Sequence, residues 1–128
     1  MLFRSAPPAE RAAKVHDLFR DHEARLAQPI LDYLGSKNSV HLIGPAQAEN
    51  RAPTIAVRLP MPGEAAAEKL APFGVMAGGG DFYAVRPLSA LGIEPEHGVL
   101  RLSFVHYTGA DDVDRLLKIG RASCRERV

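Results

Sequence analysis

Apolar residues recur every three or four positions through the first third of the chain, at Ala13, Val15, Leu18, Phe19, Leu26, Ile30, Leu31 and Leu34. That spacing predicts a long amphipathic helix over residues 9–34, with Gly35 as its stop and a kink at Pro29. Two short apolar runs follow, 40–43 and 54–59. They read as strands separated by a loop over 44–53, and Pro60-Met61-Pro62-Gly63 makes the next turn. Residues 64–73 suit a short helix and 74–77 a brief strand. Gly78 to Gly80 suit a flexible turn and 82–85 an extended piece, while Pro87 opens a helical turn to Leu91. In the last segment the period changes to two. Leu100, Leu102 and Phe104 share one face of a strand, and Arg101, Ser103 and Val105 share the other. Val113, Leu116 and Leu117 return to helical spacing behind Asp111 and Asp112, which suit a helix N-terminus. Strands joined partly by turns and partly by helices predict a two-layer α+β domain. Its sheet is small and mainly antiparallel, with helices on one face, and the long helix precedes it.

This pattern gives Arg101 a direction. If the final helix covers Leu100, Leu102 and Phe104, Arg101 points away from it and offers a fixed guanidinium, always charged and shaped to meet a carboxylate with two hydrogen bonds. The plainer reading is a solvated or surface-paired strand arginine. The glycine run at 78–80 is followed by Asp81-Phe82-Tyr83 and not by a helix N-terminus, so a phosphate cradle is disfavoured and a close backbone approach fits better. The histidines at 16, 22, 41, 97 and 106 lack metal-site spacing and read as surface or packing residues. No catalytic triad or carboxylate pair can be drawn from the spacing.

The last ten residues change the composition. Ile119 to Val128 reads IGRASCRERV, the translation of atc gga aga gcg tcg tgt agg gaa aga gtg, a widely used sequencing adaptor. Residues 119–128 are therefore expected to be adaptor-derived, to pack poorly and to add no stability. They carry Arg121, Arg125 and Arg127 against Glu126, so without them the formal charge of +1 becomes −1. A basic nucleic-acid surface is not indicated. The sole cysteine, Cys124, also falls there, which leaves residues 1–118 without thiolate, disulfide or cysteine-zinc chemistry. No apolar run approaches the roughly 18 residues of a membrane span, and no leader precedes the first helix, so a cytoplasmic chain is expected. Residues 1–8, with Ser5-Ala6-Pro7-Pro8, read as a linker, and 9–118 are long enough for one domain.

Four segments, in order, resemble the cysteine-desulfurase-like branch of the class V aminotransferases. They are His22-Glu23 with Leu26, Arg51-Ala52-Pro53-Thr54, Gly80-Asp81-Phe82-Tyr83-Ala84 before Leu91-Gly92, and the stretch from Gly98 through His106-Tyr107 to Asp114-Arg115-Leu116-Leu117. One departure is Tyr107-Thr108-Gly109 where the family usually has Tyr-Asn-Thr, which exchanges a good helix cap for a weaker one. The resemblance implies the C-terminal small domain of a fold-type-I enzyme that uses pyridoxal 5′-phosphate and acts on an amino acid. The Schiff-base lysine would lie in a missing large domain, and the parent would be a homodimer with neither nucleic-acid nor membrane partner. It further implies that Arg101 holds the substrate α-carboxylate, with Tyr83 and Ser103 as possible active-site lining. Tyr83 falls near the sulfur-accepting loop cysteine of the desulfurases. A phenol cannot replace that thiolate, so the parent either forms no persulfide or draws its thiol from elsewhere; Tyr83 as a packing residue stays open. The competing reading is a free-standing α+β regulatory module that binds an amino acid through Arg101.

Overall fold

The computed structural model describes residues 4–125, with side chains over 4–122. The first three residues of the expected linker and the last three of the expected tail lie outside the described residues, as does the side chain of Cys124. In chain order the elements are α1 (Pro8–Gly35), β1 (His41–Ile43), β2 (Thr54–Arg58), α2 (Gly63–Leu70), β3 (Gly78–Gly80), α3 (Val85–Ala90), β4 (Val99–Ser103) and α4 (Ala110–Arg125), with 3-10 turns at Ala48–Asn50 and Ala71–Phe73. The fold is α+β, as the periodicity predicts.

All four strands pair antiparallel in the order β1-β2-β4-β3. The register sets Ile55 opposite Leu102 and Val57 opposite Leu100. These side chains form the centre of one sheet face, where Ile55 and Val57 are completely buried. Each such aliphatic chain contributes about 1.5 to 3 kcal/mol through its removal from water. Leu26, Ala27, Ile30 and Leu31 of α1, Ala66 of α2, and Val113 and Leu117 of α4 cover them, with Phe104 at the edge. The apolar triad of α4 therefore meets the strand face that its spacing indicated. The short α3 closes one end of the opposite face. There Leu88 and Ile93 pack on Val99, beside Ile43, Ala56, Phe82 and Ala84.

Pro8 occupies the first turn of α1, where its missing N–H leaves nothing unpaired. The helix runs unbroken across the exposed Pro29, with buried Leu26 and Ala27 before it and Ile30 and Leu31 after it holding both flanks to the sheet. Gly35 ends the helix without a left-handed turn: Ser36 stays right-handed, its N–H donating to the Asp32 carbonyl at 3.1 Å and its hydroxyl to that of Tyr33 at 2.7 Å. Burial covers only the C-terminal part of α1. Val15, Leu18 and Phe19 are exposed, because 28 residues of helix extend about 42 Å, at 1.5 Å each, over strands of at most about 17 Å.

Three local expectations change. Residues 74–77 form no strand; the glycine run 78–80 does, as an edge strand on β4. Glycine is required there because α2 lies directly against it: a Cβ at Gly79 would overlap the Gly63 backbone, and one at Gly63 would overlap the Val99 backbone. The Gly63 N–H donates to the His97 carbonyl at 2.9 Å, which ties the helix end down. Residues 82–85 turn instead of extending, with Phe82 at φ 51° and Tyr83 at φ 60°. Finally, α4 continues past Lys118 to Arg125. Ile119 and Gly120 are half-buried, with Gly120 against the Tyr33 ring, so the first two residues of the expected tail do pack, and Arg121 and Ala122 are exposed.

Candidate functional site

Arg101 stands in the middle of β4 between Ala56 of β2 and Gly78 of β3. Its neighbours Leu100 and Leu102 are buried on the helix-covered face, which turns Arg101 to the other face, where it is exposed. Neither strand neighbour has a side chain longer than a methyl group, so the ground beside the guanidinium is low. Among the described residues the Arg101 guanidinium makes no hydrogen bond or ion pair. Its one side-chain partner is the Phe82 ring, whose centroid lies 4.0 Å from the guanidinium carbon. A stacked guanidinium keeps its N–H groups in plane and directed outward.

The turn after β3 sets that ring in place. Asp81 accepts the Tyr83 N–H through its side chain at 3.0 Å and the Ala84 N–H through its carbonyl at 2.8 Å. Two successive non-glycine residues in the left-handed region cost of order 1 kcal/mol or more each. The turn sends Phe82 inward against the small cluster and leaves the Tyr83 side chain fully exposed. Tyr83 is thus no packing residue of this chain. Ser103 lies two positions beyond Arg101 on the same face, opposite Thr54, whose hydroxyl donates to it at 3.4 Å. Phe82, Gly78 and Ala56 complete the setting of Arg101 and were missed by sequence reasoning; only the order of the glycine run before Asp81-Phe82-Tyr83 hints at them.

Arg51, from the second family-like segment, has a contrasting environment. It donates to the carbonyls of Pro45 at 2.6 Å, Thr54 at 3.0 Å and Ile43 at 3.3 Å, pinning the 44–53 loop to β1 and β2. Burial lowers its pKa from the ordinary arginine value, and its Nε has no partner among the described residues. His22 donates to the Thr108 carbonyl at 2.9 Å and His97 to that of Leu59 at 2.8 Å, while His106 stacks on Phe19. The weak cap at Gly109 is made good by Asp112, whose carboxylate accepts the Gly109 N–H at 2.9 Å. A groove beside α1, lined by Leu18, Arg20, Asp21, Arg25 and Glu49 among others, contains none of Arg101, Tyr83 or Ser103.

The described residues do not form a site for pyridoxal phosphate. Lys14, Lys69 and Lys118 are exposed, and Lys37, half-buried, lies over the Tyr33 ring at 4.8 Å. None of the four is buried. No helix among the described residues is long and apolar enough to cross a membrane.

The fold is similar to that of a cysteine desulfurase from Thermococcus onnurineus NA1, with a TM-score of 0.74 and 22% identity over 86% of this chain and 27% of that one. It is also similar to a NifS-like protein from Rickettsia africae ESF-5, with a TM-score of 0.64 and 17% identity over 86% of this chain and 30% of that one. This chain therefore spans about a quarter to a third of their length. No curated protein matches it. The sequence profile of the class-V aminotransferases matches residues 14–116, from the uncovered part of α1 through Arg101 to α4, and over that span the chain belongs to the class-V aminotransferase family.

Proposed function

We propose that residues 9–118 are the C-terminal, substrate-orienting domain of a pyridoxal-phosphate enzyme of the cysteine-desulfurase-like branch, and that Arg101 takes the α-carboxylate of its amino-acid substrate. The observation that carries this reading is the open guanidinium: exposed, stacked on Phe82 and free of any acidic partner among the described residues. Ser103, on the same strand face, and the exposed Tyr83 are proposed as further lining of the site. The cofactor, when bound, supplies the electron sink for bond cleavage at the substrate's α-carbon; its lysine and its acidic partner belong to a large domain that residues 1–8 would join to this one. The stripe Val15, Leu18 and Phe19, left uncovered on α1, fits that arrangement, as does the share of the relatives' length that this chain spans. The parent is proposed to be a cytoplasmic homodimer, and residues 119–128 to be adaptor-derived. The family match favours this reading over the free-standing amino-acid sensor.

The test is Arg101→Lys in a full-length enzyme carrying this domain, with kcat/KM measured for an amino acid and for its decarboxylated amine. A charge-assisted hydrogen bond contributes about 1.5 to 3 kcal/mol, so the amino acid should lose about 10- to 150-fold and the amine much less. Equal losses would make Arg101 structural and end the carboxylate assignment.

A further inference from the structure

Phe82 has an environment that a simple packing role does not account for. Its ring fills the space that a side chain at position 78 would occupy: a Cβ on Gly78 would stand 3.0 Å from Phe82 Cζ. The backbone holding it adopts a left-handed pair at 82 and 83, tied by Asp81. Its inner edge rests on the Leu88, Ile93 and Val99 cluster, and the guanidinium of Arg101 lies over it at 4.0 Å. An arginine side chain on an open strand face samples many rotamers, and a ring fixed from below selects among them.

We propose that Phe82 is a positioning residue that holds the plane of the Arg101 guanidinium, so that only its nitrogen edge meets a substrate carboxylate. This rests on the carboxylate reading of Arg101. The flat face of the cation is weakly hydrated and suits the ring, whereas the in-plane N–H groups are the ones that pair with two carboxylate oxygens. Strain in the turn is then the local cost of keeping the ring beneath the cation. The role is one of binding: it preorganises the fork before substrate arrives and acts on the reacting atoms only through Arg101.

Four proteins test this: the full-length, cofactor-loaded wild type, Phe82→Leu, Phe82→Tyr and Arg101→Lys, each assayed with an amino acid and with its decarboxylated amine. Phe82→Leu should raise KM for the amino acid about tenfold and leave kcat and the amine within about twofold, and Phe82→Tyr should restore the wild-type KM. A second readout is the Arg101 Nε–H resonance of the 128-residue chain. It should be shifted upfield by the ring in the wild type and in Phe82→Tyr, and return to an ordinary arginine position in Phe82→Leu. If Arg101→Lys selectively harms the amino acid while Phe82→Leu does not, the Phe82 role is overturned and the Arg101 reading stands. If Arg101→Lys harms both substrates equally, the carboxylate reading falls and the proposal with it. An unshifted Nε–H in the wild type overturns the stack itself.

Discussion

At Arg51 the guanidinium is ringed by three backbone carbonyls, and at Arg101 it meets one aromatic face and no acceptor among the described residues. The same side chain thus closes a loop at one position and remains free to bind at the other. Glycines divide in the same way. Gly79 lies where the Gly63 backbone leaves no room for a Cβ, whereas Gly35, at the end of α1, has nothing within 4 Å of its Cβ position. Gly79→Ala should destabilise by about 1 to 3 kcal/mol through overpacking. Gly35→Ala should stabilise by about 0.5 to 1 kcal/mol by restricting the unfolded chain. In thermal unfolding, where each kcal/mol moves Tm by about 4 °C in a domain this size, the two variants should move in opposite directions. A neutral Gly79→Ala would mean that α2 does not sit against β3 so closely.

At the level of elements, α1 and α4 differ in how far their packing follows their pattern. The periodic apolar positions of α1 continue from Val15 to Leu34, but the sheet supplies cover only from Ala24 onward. For α4, the packed positions Val113, Leu116 and Leu117 extend to the half-buried Ile119 and Gly120, and Arg121 and Ala122, the last side chains described, are exposed. A chain ending at Gly120 should therefore keep the full-length Tm within about 1 °C. Ending it at Lys118 also removes a half-buried Ile119, a loss of about 1 kcal/mol or a few degrees. A drop of more than about 5 °C for the chain ending at Gly120 would show that residues beyond it pack, contrary to their proposed adaptor origin.

For the whole molecule, the described residues combine a two-layer core with one exposed guanidinium that lies over a ring and four lysines that are exposed or rest on a surface ring. Mixed with pyridoxal 5′-phosphate, the isolated chain should develop no saturable, stoichiometric Schiff-base band in the visible spectrum. Such a band, abolished by substituting one of Lys14, Lys37, Lys69 or Lys118, would place a cofactor anchor in this domain and overturn the division of labour proposed for the parent.

The periods of the sequence determined the long helix, the strands at 41–43, 54–58 and 99–103, the helix after Gly109, and the outward direction of Arg101. They did so because burial on one face of a helix or strand is a one-dimensional property, written in the spacing of apolar residues. The spacing of residues 74–85 does not announce their structure, since glycine has no face and a left-handed Phe82-Tyr83 pair has no local propensity. Only the docking of α2 on β3 decided that three glycines should form a strand, and only the turn beyond them decided that Phe82 should lie beneath Arg101. Those contacts join residues far apart in sequence or bent back against their own propensity, where the geometry of the assembled sheet outweighs local preference.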